Sequence, residues 1–263
     1  MIPLATFADL PVELGQSIIL LAANSCALDD KPKLANLTRT SRGIHALVQP
    51  ILSETVFVNS SNFLLVCATP GSFTSTHRLI VDDSTCDGDS LRTLVTSTPA
   101  FRKVEMFRGP LWMFHTLLSV CTPVRAVVTE SGWYYAYGLR ESSLSRLTHL
   151  SGRSSAFFLI QFIPSGIYSD LVQLSHLVLG YRNIHVQYSI IPMLPKLLAL
   201  PKLEYLCVCV PSDWHNGMSK LSAFARDRNE PRLWASRETE DRLGLFDDKH
   251  CLIGEPLLHA DAR

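Results

Sequence analysis

Apolar residues along this chain follow two different spacings. Near the N-terminus Leu14, Ile18 and Leu21 recur at i, i+4 and i+7, the period of a helix face, and Ile19, Leu20, Ala22 and Ala23 fill a second face. Pro11 suits the first position of that helix, because it has no N–H to lose and its φ is already fixed. A second apolar block follows at Leu34, Leu37, Ile44, Leu47, Val48 and Ile51. A helical unit this small does not cover a first helix that is apolar on so many sides, and the surplus face implies a protein partner.

Beyond residue 58 the apolar positions alternate within short runs, which predicts strands over Thr76–Val81, Phe101–Met106, Val124–Val128, Leu147–Leu150, Leu174–Leu179, Leu203–Val208 and Arg232–Ala235. Equating Leu79, Val104, Val127, Leu150, Leu177, Leu206 and Leu233 gives a repeat of 23 to 29 residues. Between the first of these strands, Ser90–Val95 and Leu111–Leu118 have helical spacing. Pro99, Pro123 and Pro201 stand just before strands, where they stop a preceding helix. Units of strand and helix at this period predict an α/β fold: neighbouring parallel strands in chain order, with helices on one face. The chain divides into an N-terminal three-helix module (1–58), an irregular α/β solenoid with a parallel sheet (59–237) and a charged C-terminal cap and tail (238–263). A twisted open α/β sandwich is the structural alternative.

Charge adds little direction. The 24 basic and 24 acidic residues cancel, leaving no broad electrostatic footprint for nucleic acid or an anionic membrane. Charged residues make up 18% against 47% hydrophobic, which suits buried strands and a surface partly covered by a partner. The apolar run Ile18–Ala23 is too brief to span a bilayer and follows Asp9 and Glu13, so a cytoplasmic or nuclear protein is expected. Seven cysteines sit mostly in apolar segments and read as reduced, buried small residues. Cys207-x-Cys209 has no matching ligand pair, so no metal is expected. The segment from Arg226 to Arg263 holds 16 charged residues, as a capping repeat with a polar outer face would.

Catalytic chemistry is hard to assemble from these residues. No Gly-rich phosphate cradle, Gly-x-Ser-x-Gly elbow or His-Glu-x-x-His helix occurs, and a non-enzyme without cofactors is expected. His77, His149 and His176 each lie beside an apolar strand position in three different repeats and would share a face, but with no nucleophile at defined spacing they read as structural. The loops after the strands are richer. They bring Arg108, Trp133, Tyr135, Tyr181 and Trp214 toward one rim, and Trp, Tyr and Arg dominate binding hot spots, so these five are the candidate substrate-binding residues.

The first 58 residues resemble an F-box. Leu10 and Pro11 match its Leu-Pro corner, Glu13 the acidic residue after it, and Ile18 and Leu21 its first-helix apolar positions. Leu34, Leu37, Ser41 and Arg42 match the second segment, and Leu47, Pro50, Ile51 and Leu52 the last helix and its exit; the stretch Asn24–Lys33 is longer than the family's compact turn. Leu174-x-x-Leu177-x-Leu179 and Leu203-x-x-Leu206-x-Val208 resemble the core of leucine-rich repeats, without the Asn that follows it in that family. The resemblance implies a substrate receptor of a cullin–RING ubiquitin ligase. Leu10, Pro11, Leu14, Ile18, Leu21, Leu34, Leu37, Leu47 and Pro50 would dock on the Skp adaptor and through it on a cullin, while the repeats hold an unidentified protein substrate. The alternative is a leucine-rich-repeat scaffold whose N-terminal helices only cap the solenoid.

Overall fold

The structure, a computed structural model, describes residues 10–82, 88–129, 144–152, 171–180, 187–211, 214, 216–237 and 255–258. It is an α/β chain: three N-terminal helices, then a nine-stranded sheet whose first eight strands are parallel.

Helices α1 (Val12–Asp29), α2 (Lys31–Thr38) and α3 (Arg42–Glu54) pack around Ala23, Ala27, Leu34 and Val48, with Ile19, Cys26, Leu37, Ile44, Leu47, Ile51 and Leu52 against them. The long stretch after Ala23 is accommodated by extending α1 to Asp29. Asp30 then caps α2, its side chain accepting from the Lys33 N–H at 3.0 Å, and Ser41 caps α3 by accepting from the Ile44 N–H at 3.2 Å. Leu34, expected at the adaptor surface, is instead 1% exposed at the centre of this core. It sits on the inner side of α2, where its removal from water holds the three helices together.

Strands β1 (Thr55–Val58), β2 (Arg78–Val81), β3 (Met106–Pro110), β4 (Arg125–Thr129), β5 (His149–Gly152), β6 (His176–Gly180), β7 (Tyr205–Cys209) and β8 (Leu233–Ser236) lie side by side in chain order. The two-residue β9 (Glu255–Pro256) pairs antiparallel with β8. β1 is a strand the sequence reading missed; it begins the sheet inside the segment assigned to the helical module. Helices α4 (Phe63–Ala68), α5 (Gly88–Ser97), α6 (Leu111–Leu118), α7 (Gln187–Leu198) and α8 (Gly217–Arg228) contribute to the main core on one face of the sheet.

The register corrects the repeat alignment. Val56, Leu79, Phe107, Ala126, Leu150, Leu177, Leu206 and Leu233 are cross-strand partners and form one inward row. Val104 and Val127 therefore do not belong in it. Val104 occupies the buried turn before β3, in the place that Leu147, Leu174 and Leu203 take before β5, β6 and β7. Each turn closes on a residue three back, Val104 N–H to Phe101 O, Leu147 to Leu144, Leu174 to Leu171 and Leu203 to Leu200. Apolar residues thus recur at i, i+3 and i+6 across turn and strand start, so the strands begin about one residue pair later than alternation alone suggests. Phe101 holds its turn with φ at 61°, a conformation that costs a bulky residue, and its ring stacks on Phe73 at 5.6 Å.

The helical module joins the sheet through α3, which runs directly into β1. Lys31 crosses that junction: its Nζ donates to Leu52 O at 2.7 Å and to Thr55 O. Burial lowers its pKa to about 8; Glu54 opposes the shift and Arg78 adds to it. No helix among the described residues is long and apolar enough to cross a membrane.

Candidate functional site

Two surfaces stand out, one on the first helix and one on the sheet. On α1, Ile19, Ala23, Cys26 and Ala27 face the three-helix core. The opposite side exposes a row of apolar residues, with Leu14 53%, Ile18 47% and Leu21 73% exposed, beside Val12 and the exposed Leu10–Pro11 corner. Of the other candidate docking residues Pro50 is exposed, while Leu37 and Leu47 are half-buried against the module's own core.

The second surface is the face of the sheet turned away from the helices. Strand alternation places Arg78 and Ile80, Met106 and Arg108, Arg125 and Val127, His149 and Ser151, His176 and Val178, Tyr205 and Cys207, and Trp234 on it. Register puts Arg78, Met106, Arg125, His149, His176 and Tyr205 in one row and Ile80, Arg108, Val127, Ser151, Val178, Cys207 and Trp234 in the next. Neither row contains an acid. Carboxylates stand along the edge where the chain turns into the strands: Glu54 lies 3.9 Å from Arg78 and Glu105 lies 3.7 Å from His77.

The rings form a ladder across four strands. His149 and His176 stack with centroids 4.3 Å apart and planes 8° from parallel; Tyr205 follows at 5.6 Å and Trp234 at 5.4 Å beyond it. The two histidines are half-buried, whereas Tyr205 and Cys207 are 3% and 0% exposed. A depression opens beside the histidines, with Val127, Ser151 and Val178 as its floor and Arg125, His149 and His176 as its walls. It exists because β5 contributes the small Ser151 between two valines.

Hydrogen bonds fix the imidazoles. The Thr148 hydroxyl donates to Val124 O and the Ser175 hydroxyl to Thr148 O, both at 3.1 Å. Each hydroxyl oxygen also shares a hydrogen bond with the neighbouring ring, at 2.8 Å from His149 Nδ1 and 2.9 Å from His176 Nδ1. Burial pushes the His176 pKa down from its ordinary value; Glu204 opposes this and Arg125 reinforces it.

The sequence reading placed recognition on the rim after the strands. Arg108 is found on the face of the sheet turned away from the helices, in β3. Trp133, Tyr135 and Tyr181 lie outside the described residues. Trp214 is 7% exposed and part of the main core, so it is not a surface anchor; its indole packs over Gly217 at the start of α8. The histidine pair was visible in the sequence as two strand-start histidines 27 residues apart, each preceded by Thr or Ser. His77 is not in their row, lying one residue before β2. Among the described residues no group of three or more His, Cys, Asp or Glu is placed to hold a metal ion, and Cys26, Cys67, Cys121, Cys207 and Cys209 are reduced. No family model, curated protein or solved structure matches this chain.

Proposed function

We propose that the protein is a non-catalytic substrate receptor of a Skp–cullin–F-box ubiquitin ligase: α1–α3 act as an F-box that docks on the Skp adaptor, and the sheet, read as a degenerate leucine-rich-repeat solenoid, holds a protein substrate. The observation that carries this reading is the exposed apolar row Leu14, Ile18 and Leu21 on a helix whose other side already has a core. Leaving such partly exposed side chains in water forgoes roughly 1–2 kcal/mol each, which a protein partner recovers on docking. Support for the solenoid comes from the chain-order parallel sheet and from the hydroxyls of Thr148 and Ser175, which repeat the same bond one unit apart.

One observation favours the second reading, a scaffold whose helices only cap the sheet. α3 continues into β1, and Lys31 ties α2 to the same junction, as a cap would. The two readings separate on co-expression with the Skp adaptor followed by size-exclusion chromatography. A stable one-to-one complex supports the receptor; a chain that elutes alone at micromolar concentration supports the cap.

A further inference from the structure

Asn216–Gly217 is the one Asn-Gly pair in the sequence, and it stands where α8 begins. Packing requires the glycine: the Trp214 indole fills the space that a side chain at 217 would take. The same bare glycine makes the pair chemically labile. A backbone nitrogen that follows an asparagine can attack the side-chain amide carbon, and glycine puts no Cβ in the way of that approach. The Asn216 side chain is available for it, being exposed and, although at the N-cap position, making no side-chain cap hydrogen bond. Other asparagine amides are tied down. Asn24 Nδ2 donates to Leu20 O at 2.9 Å, Asn59 Oδ1 accepts from the Ser61 and Asn62 N–H groups, and Asn62 Nδ2 donates to Phe57 O at 2.6 Å. At Asn216 it is the nucleophile that is restrained. The Gly217 N–H donates to Trp214 O at 2.9 Å, and the Asn216 backbone, with ψ at 11°, holds that nitrogen off the line of attack on its own side chain. Reaction therefore needs the turn to open.

We infer that Asn216 is a site of spontaneous deamidation, gated by opening of the Trp214–Gly217 turn, which converts the uncapped start of α8 into a charged one. Water is the only co-reactant. The Gly217 nitrogen forms a bond to Cγ of Asn216, the Cγ–Nδ2 bond breaks, and the Gly217 proton leaves with the amide as ammonia. Water then opens the cyclic imide at either carbonyl. One opening leaves aspartate at position 216; the other leaves isoaspartate, with the side-chain methylene inserted into the backbone. The two products act in opposite directions. An N-cap carboxylate accepts from the N–H groups of Met218 and Ser219 and lies at the positive end of the helix dipole, so aspartate stabilises α8. The longer isoaspartyl backbone cannot close the same turn onto Trp214 O and loosens the start of the helix. The site stands whether or not the chain is a ligase receptor.

The test incubates the full chain at neutral pH beside a synthetic peptide of residues 211–221 and follows both by peptide mapping with mass spectrometry, which reads the gain in mass from amide to acid and separates isoaspartate by retention. Residue 216 should convert in the folded chain ahead of Asn24 and Asn59. It should do so more slowly than in the peptide, by the same factor by which native-state hydrogen exchange shows the Gly217 N–H to be protected, because one opening exposes both. Urea below the unfolding transition should speed conversion and exchange together, a check that needs no variant to fold; Trp214→Ala should do the same. Asn216→Asp mimics the aspartyl product and should raise the urea midpoint. A folded chain that converts at the peptide's rate has no gate. One in which residue 216 stays intact while the Gly217 N–H exchanges has no site. Either result overturns the inference, as does faster conversion at Asn24 or Asn59, and a lowered urea midpoint in Asn216→Asp overturns the capping.

Discussion

The indole of Trp214 occupies the space that a side chain at residue 217 would need: a Cβ on Gly217 would lie 2.6 Å from Cε3 and 2.8 Å from Cγ of that ring. The Gly217 N–H also donates to Trp214 O at 2.9 Å, so neither residue has room to retreat. Gly217→Ala should lower stability by about 1–3 kcal/mol, the usual penalty of overpacking, read from the urea midpoint. In a Trp214→Ala background the same substitution should cost almost nothing. Equal costs in both backgrounds would mean that the ring is not what excludes a side chain there.

Charge placed on the outer row of α1 should leave folding alone. Leu14→Asp and Ile18→Asp should keep the urea midpoint of the parent and abolish co-elution with the Skp adaptor, since an unpaired charge buried at an interface costs several kcal/mol. Leu34→Ala is the contrasting variant: it empties the module's core and should cost about 2–5 kcal/mol. An Asp at position 14 or 18 that melts the protein would place those residues in a core instead.

Lys31 gives a pH signature in the alkaline range. Its folded pKa of about 8 lies below the ordinary lysine value of about 10.4, so between the two the unfolded chain binds more protons and stability rises with pH. Urea titrations of the wild type and Lys31→Met should therefore diverge in favour of the wild type from about pH 8 to about pH 10. A constant difference would show that the ammonium is as well solvated in the folded chain as outside it.

Glu230 gives a slope of the same sign in acid, where stability again rises with pH. Arg232 grips it through two 2.7 Å hydrogen bonds, Nε to Oε1 and Nη2 to Oε2, and holds its carboxyl below the usual range; Arg232 Nη1 also donates to Leu203 O at 3.2 Å. The stabilisation is present above the unfolded carboxyl pKa of about 4.3 and is lost as pH falls through the folded value. Because Arg232 is a third exposed, the pair is worth about 1 kcal/mol, and Glu230→Gln should cost that much at neutral pH and nothing near pH 2. An equal cost at both extremes would assign the loss to packing.

Much of this fold was legible because the inward row is mostly leucine. Leu79, Leu150, Leu177, Leu206 and Leu233 were equated correctly, since buried strand positions tolerate little else at that spacing. The misaligned repeat has one cause: the turn before each strand is as buried as the strand. Val104 was taken for a strand residue because the turn positions of Val104, Leu147, Leu174 and Leu203 read as the start of an alternating run. Thr55–Val58 was hidden behind α3, whose apolar exit masks a four-residue strand. The face of the sheet turned away from the helices was the harder loss. Alternation says which residues leave the core but not which neighbours they meet across strands, so the stacking of His149 on His176 required the register. Trp214 shows the converse, an aromatic that looks like an anchor by type and is held inside by the adjacent helix start.

A sheet built from neighbours in chain order has no internal reason to end, because each parallel edge offers N–H and C=O groups to one more strand. At one end α3 runs straight into β1. At the other, β9 runs against the direction of all the rest and places Pro256 beside Trp234 and the charged Glu255 beside Ala235. A proline has no N–H to offer outward, and a two-residue strand is too short to template another chain. Reversed polarity, a missing donor and a charge together make this edge a poor template for a further strand.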